Sequence, residues 1–141
     1  MGVIYDAIKQ LKKHEGLRLK PYRCTANKLT IAYGRNLEDV GITESEAEGM
    51  LEHDVSMAYS DLEGLFDDFA IFSTVRQVAL IDMRFNLGAS GFRKFAKMIE
   101  AINNGNWLLA AEEAIDSKWY TQVGHRAITI ANQLKDDQRW Y

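Results

Sequence analysis

The chain has 141 residues, of which 47% are hydrophobic and 26% charged, and its formal net charge is −3. This length predicts one domain or two small lobes, and the composition excludes a disordered or collagen-like chain. No apolar run approaches the roughly 18 residues that a membrane helix needs. The single cysteine, Cys24, excludes an internal disulfide and a multi-cysteine metal cluster.

Charge is unevenly distributed along the chain. Residues 1–42 contain eight Lys and Arg against four Asp and Glu, whereas residues 43–141 contain nine against sixteen. The basic part is either ordinary surface composition or a surface that meets an anionic polymer. The net negative charge of the whole chain disfavours a general nucleic-acid-binding protein.

Because the first thirteen residues lack the apolar stretch of a signal peptide, we expect the chain to stay in the cytoplasm.

The N-terminal third predicts a helix and a hairpin. Apolar residues at helical spacing predict a helix over 2–14, with Gly16 as its stop. Two short strands are expected over 17–20 and 29–33, joined by a turn at 25–28. The first strand is expected to break at Pro21, and a polar connection is expected between Gly34 and Gly41.

The remaining two thirds predict helices. Thr43 to Glu46 has the pattern of a capping box, and the apolar stripe behind it predicts a long helix over about 44–62. Further helices are expected from Thr74 to near Gly88 and over about 95–102, 107–115 and 127–134. The pattern therefore predicts an α+β fold that is mostly α. The long helix would join a small sheet lobe, about 13–42, to a helical lobe formed by about 63–141 and helix 1–12.

Glu15 is a candidate proton donor because it lies in the last turn of the first helix. The negative end of the helix dipole favours the protonated form of a carboxyl there, whereas the nearby Arg18 favours the charged form. Glu15 is followed by eight residues, Cys24, five residues and Thr30.

This spacing, with the string from His14 to Tyr22, resembles the phage-type lysozymes, a glycoside hydrolase family marked by Glu, then Asp or Cys, then Thr. Three later segments resemble the family in the same order: Phe85 to Gly88, Lys118 to Tyr120, and Arg126 with Ala127. The resemblance covers nearly the whole chain. It implies a single two-lobe lysozyme-like domain over 1–141 with its cleft between the lobes.

The resemblance also implies a function. The chain would be a muramidase that cuts the β-1,4 bond between N-acetylmuramic acid and N-acetylglucosamine in peptidoglycan, as a phage or prophage endolysin in host lysis. Such cleavage needs a proton for the leaving oxygen and a nucleophile at the sugar carbon. By resemblance, Glu15 is the general acid, the residue at Cys24 handles the attacking water, and Thr30 holds that water.

The resemblance implies no cofactor and no metal. The expected partner is the peptidoglycan glycan strand, with no nucleic acid, no stable membrane association and a monomeric chain. By analogy with the family, a separate pore-forming protein would let the chain pass from the host cytoplasm to the cell wall.

Cys24 leaves three roles open: a thiolate base, a water-orienting group or a buried structural thiol. A thiol with a pKa of about 8.5 is mostly protonated at neutral pH. A two-residue turn at Ala26 and Asn27 would put Cys24 and Thr30 on opposite faces of the hairpin. A five-residue loop or a bulge would put them on the same face, because side chains alternate along a strand.

The chain departs from the family at Ala32 and Arg35, where the family usually has Gly and His. We expect Arg35 to form a structural ion pair with Asp54. Residues expected to bind substrate or to tune the site are Arg126, Phe85 and Asn36. Alternatives to a muramidase are a catalytically weakened peptidoglycan-binding protein of the same fold, a lytic transglycosylase and an unrelated helical partner-binding protein.

Overall fold

The computed structural model describes residues 2–138, and the chain divides into two compact units, residues 1–49 and 50–141. The first unit contains helix α1 (Val3–Glu15) and strands β1 (Arg18–Arg23), β2 (Leu29–Ala32) and β3 (Arg35–Asn36). Helix α2 (Glu44–Leu65) begins in the first unit and continues into the second. The second unit adds a 3-10 turn (Phe69–Ile71) and helices α3 (Thr74–Arg93), α4 (Ala96–Asn103), α5 (Trp107–Ile115), α6 (Lys118–Val123) and α7 (His125–Asp136). The predicted α+β, mostly helical class is confirmed.

Helix α1 lies in the same unit as the sheet, whereas we assigned the first helix to the helical lobe. Its C-terminal turn explains this grouping. The Glu15 carboxylate lies against Gly34, which follows β2, and the Lys12 ammonium lies 5.6 Å from the centre of the Tyr33 ring. These contacts attach the end of α1 to the turn between β2 and β3.

The sheet is antiparallel in the order β1-β2-β3. Strand β1 does not break at Pro21, contrary to our expectation. Its pairing with β2 shifts register between Arg18 and Tyr22, which accommodates the proline. Because β1 is an edge strand, the missing N–H of Pro21 costs little there. The two-residue strand β3 falls within the segment that we expected to be an irregular connection.

The N-terminus of α2 forms the predicted capping box. The Glu46 N–H donates to the Thr43 hydroxyl at 3.1 Å, and the Thr43 N–H donates to the Glu46 carboxylate at 3.0 Å. Two backbone donors that the first helical turn leaves unpaired are thereby satisfied.

The second unit holds the apolar core. Its largest fully buried side chains come from α2, α3, α4, α7 and the 3-10 turn with its flanking residues: Leu62, Phe66, Phe69, Leu80, Met83, Phe92, Met98, Ile130 and Leu134. Two segments that carried the family resemblance meet here, because the Trp119 indole N–H donates to the Asn86 side-chain oxygen at 2.8 Å. Helix α6, which carries Trp119, was not predicted.

The regular helix is interrupted at Gly88, where we expected it to end, and a second helical segment of α3 follows to Arg93. Gly88 has φ 77° and ψ 168°, which is non-helical backbone that glycine adopts easily. Asp61 on α2 holds both sides of the kink, accepting from Arg84 at 2.8 Å and from Arg93. Hydrogen bonds, first from Arg93 and then from Arg84, lower the pKa of Asp61 to about 2.

Candidate active site

The pairing of β1 with β2 brings Cys24 and Thr30 together. Arg23 pairs with Leu29 and Tyr22 with Thr30, so residues 24–28 form a five-residue loop. Of the two geometries that the sequence left open, this loop length puts Cys24 and Thr30 on the same face. Thr30 is only 3% exposed, and its hydroxyl donates to the Lys28 carbonyl at 2.8 Å. The Cys24 side chain is partly exposed.

Hydrogen-bond donors around the sulfur favour the thiolate. The Lys28 backbone N–H is the largest contributor, followed by the Thr30 hydroxyl and the Ala26 N–H, and together they lower the pKa of Cys24 below its ordinary value. The thiolate is the basic and nucleophilic form of cysteine. By favouring the thiolate, the loop makes Cys24 better able to act as a base, a role that a carboxylate fills more readily.

Glu15 lines a groove of about 210 Å³ in the first unit, together with Ile8, Leu11, Lys12 and Tyr33. Its carboxylate packs directly over the backbone of Gly34. A Cβ at Gly34 would lie 2.9 Å from Glu15 Oε2 and 3.3 Å from its carboxyl carbon. Gly34 also has a positive φ of 85°, so both the backbone and the neighbouring carboxylate favour glycine at this position.

Arg35 has a different partner from the one expected. Its guanidinium binds the Glu46 carboxylate at 2.9 Å and the Gly41 carbonyl at 3.3 Å, so the structure pairs Arg35 with Glu46 rather than with Asp54. Asp54 lies eight residues further along α2, a rise of roughly 12 Å. The capping-box glutamate thus also accepts from the guanidinium on β3.

The Asn36 amide, which we expected to bind sugar, is engaged within the protein. It donates to the Asp39 carboxylate at 3.0 Å and accepts the Asp39 N–H at 3.0 Å. Asn36 is also the β3 partner of Thr30. These bonds give Asn36 a part in shaping the turn after β3.

Two other expected residues, Arg126 and Phe85, belong to the second unit. The Arg126 guanidinium binds the Asp82 carboxylate, with Nε 2.8 Å from Oδ1. Phe85 is 43% exposed and lines, with Asp54, Met57 and Arg84, a pocket of about 270 Å³. The sequence did not suggest Asp82 as the partner of Arg126, because no short-range pattern links α3 to α7.

A cavity of about 610 Å³ also lies in the second unit, lined by residues of α3 to α6 and their connections, among them Lys94, Glu113, Lys118 and Trp119. None of the residues in the Glu, Cys and Thr pattern lines it. Size alone therefore does not mark it as the reaction site, and we build the candidate active site on Glu15, Cys24 and Thr30.

Comparisons with known proteins identify the family to which the chain belongs. The model of a family described as phage lysozyme matches residues 12–134. The chain is 29% identical to probable T4-type lysozyme 2 of Dictyostelium discoideum, covering 83% of this chain and 86% of that protein. It is 32% identical to an endolysin of Acyrthosiphon pisum secondary endosymbiont phage 1, covering 77% and 73%. It is also 30% identical to the pre-baseplate central spike protein Gp5 of Enterobacteria phage T4, covering 85% of this chain and 26% of that protein.

The Arg35–Glu46 pair predicts an acid-dependent loss of stability. The hydrogen bond from Arg35, with those from Thr43, lowers the pKa of Glu46 to about 2. A carboxyl whose pKa is lower in the folded state stabilises the fold above its unfolded pKa, about 4.3, and loses that contribution as the pH falls toward 2. Glu46→Gln should therefore lower the urea midpoint at pH 7, and its difference from the wild type should shrink between pH 5 and pH 2.5.

Urea unfolding across this pH range measures the difference directly. Because Asp61 titrates in the same window, the comparison with the wild type isolates Glu46. Glu48→Gln, at an exposed position of the same helix, serves as the control. A constant difference between Glu46→Gln and the wild type at every pH would contradict the prediction.

Proposed function

Because the chain belongs to the phage lysozyme family, we propose that it hydrolyses the β-1,4 bond between N-acetylmuramic acid and N-acetylglucosamine in peptidoglycan. Family membership itself makes the chain a lysozyme-type glycosidase that degrades peptidoglycan. The similarity to an endolysin supports the narrower proposal that this activity lyses a bacterial host.

One observation carries the proposal: the five-residue loop puts Cys24 and Thr30 on the same face of the hairpin. Their spacing from Glu15 along the sequence matches the family pattern. In the proposed reaction, the Glu15 carboxyl gives its proton to the glycosidic oxygen as the bond from that oxygen to the sugar carbon breaks. A water molecule attacks the same carbon and passes a proton to the Cys24 thiolate.

Thr30 acts mainly through Cys24 in this proposal. Its buried hydroxyl donates its one proton to the Lys28 carbonyl, and this hydrogen bond fixes the hydroxyl oxygen beside the sulfur. Cys24 is partly exposed, so the attacking water has access to the sulfur.

Mass analysis of digested peptidoglycan tests the proposal. The wild-type protein should release fragments with reducing ends, and Glu15→Gln should release at least about a hundredfold less, since it cannot donate the proton. Glu48→Gln is the matched control. Fragments with anhydro ends would instead indicate a lytic transglycosylase, and binding without fragments would indicate a wall-binding protein.

Variants of Cys24 test the water-activating step. Cys24→Ser should lose most activity, because a serine hydroxyl is a far weaker base than a thiolate, whereas Cys24→Asp should keep activity because it supplies a carboxylate. The rate of fragment release near neutral pH is the measurement. Full activity of Cys24→Ser would show that the thiol has no direct part in catalysis.

The position of the Glu15 carboxylate can be tested through Gly34. Gly34→Ala would force that carboxylate away, and a misplacement of about 1 Å can cost about a hundredfold in rate. Gly41→Ala is the control, because Gly41 has a similar φ of 68° with no atom within 4 Å of an added Cβ. Both should lose a similar free energy of unfolding, about 1–2 kcal/mol, but only Gly34→Ala should lose activity. Equal activity of the two variants would contradict the placement of Glu15.

A further inference from the structure

Glu38, in the turn after β3, bridges the two strands that carry the candidate site. Its Oε1 accepts from the Arg23 guanidinium at 2.7 Å and from the Leu29 backbone N–H at 3.0 Å. Arg23 and Leu29 are the last pair of the β1–β2 ladder before the five-residue loop. One carboxylate oxygen therefore closes the loop at its base.

Two further contacts fix the loop to the same turn. The Arg23 guanidinium also donates to the Asn27 carbonyl inside the loop at 3.2 Å. The Lys28 ammonium binds the Asp39 carboxylate at 3.3 Å, and Asp39 is itself held by Asn36. The loop that carries Cys24 is thus attached to the turn after β3 at both of its ends.

The loop's internal hydrogen bonds meet at Cys24 and Lys28. The Cys24 N–H donates to the Lys28 carbonyl at 3.0 Å, and the Asn27 N–H donates to the Cys24 carbonyl at 2.8 Å. The Thr30 hydroxyl also donates to the Lys28 carbonyl. Lys28 is therefore the residue through which any opening of the loop would reach both Cys24 and Thr30.

We propose that Glu38 is a positioning residue for Cys24. It acts through Arg23 and Leu29 to hold the loop closed, so that the Cys24 N–H and the Thr30 hydroxyl both stay hydrogen-bonded to the Lys28 carbonyl. The consequence for catalysis rests on the proposed function, but the effect on the thiol does not, because it can be measured without any substrate.

The charges around the loop make the two possible effects of Glu38 distinguishable. The charged groups of the loop and of the turn packed against it are Arg23, Lys28, Glu38 and Asp39. If Glu38 acted only as a nearby negative charge, its removal would lower the pKa of the thiol. If it acts by closing the loop, its removal takes donors away from the sulfur and raises that pKa.

The test titrates the reactivity of Cys24, the chain's single cysteine, with a small disulfide reagent against pH. The midpoint of this titration reports the pKa of the Cys24 thiol. It depends less on how easily the reagent reaches the sulfur than a rate measured at one pH does. Glu38→Asp is the main variant, since it keeps the charge but shortens the side chain by one methylene. Glu48→Asp, at an exposed position of α2, is the control.

Glu38→Asp should raise the midpoint by about 0.3–1 unit, so that the rate at pH 7 falls about two- to tenfold. Glu38→Ala should also raise it, and Glu48→Asp should not change it. A midpoint for Glu38→Asp that equals or lies below that of the wild type overturns the proposal, whether or not Glu38→Ala folds. A lower midpoint for a folded Glu38→Ala would likewise overturn it in favour of a simple charge effect.

Activity measurements separate this inference from the proposed function. A higher midpoint together with a lower kcat for Glu38→Asp supports both. A higher midpoint with an unchanged kcat supports the positioning role and counts against a role of Cys24 in the reaction. A lower kcat with an unchanged midpoint overturns the positioning role.

Discussion

The candidate site depends on the register of one hairpin. Pairing of Arg23 with Leu29 and of Tyr22 with Thr30 leaves five residues in the loop. Because side chains alternate along a strand, a shift of one residue would turn Cys24 away from Thr30. The buried Thr30 opposes such a shift, since it would have to exchange places with a neighbour that faces the other side.

Acidic residues that follow the sheet stabilise this register, because each of them accepts several hydrogen bonds. Glu38 accepts from a guanidinium and a backbone N–H, Asp39 binds Lys28, and Glu46 accepts from Arg35 and from Thr43. Such pairs contribute little when a single exposed contact is counted. Here the Glu38 and Glu46 carboxylates also accept backbone N–H groups, those of Leu29 and Thr43. These two charges therefore contribute to the shape of the backbone as well as to its energy.

The sequence predicts the parts of this arrangement that depend on local spacing. The helical spacing of apolar residues predicts the helices, and the capping-box pattern of Thr43 and Glu46 predicts where α2 begins. Local spacing does not give Arg35 its partner, because the choice between Glu46 and Asp54 depends on how β3 approaches α2. Strand β3 has two residues and no alternating pattern, and the ion pairs of Asp61 with Arg84 and Arg93 on the two sides of Gly88 join residues far apart in the sequence.

The candidate residues Glu15, Cys24 and Thr30 follow from the spacing of a family pattern, but their chemistry does not. A carboxylate at the partly exposed position 24 would have an ordinary pKa well below neutral pH, whereas a thiol is close to its titration range and depends on the donors around it. The loop supplies those donors through the Lys28 N–H, the Thr30 hydroxyl and the Ala26 N–H. A cysteine at this position therefore makes the site more dependent on the conformation of residues 24–28 than a carboxylate would. That dependence gives contacts outside the pattern, such as those of Glu38, a physical route to influence the reacting group.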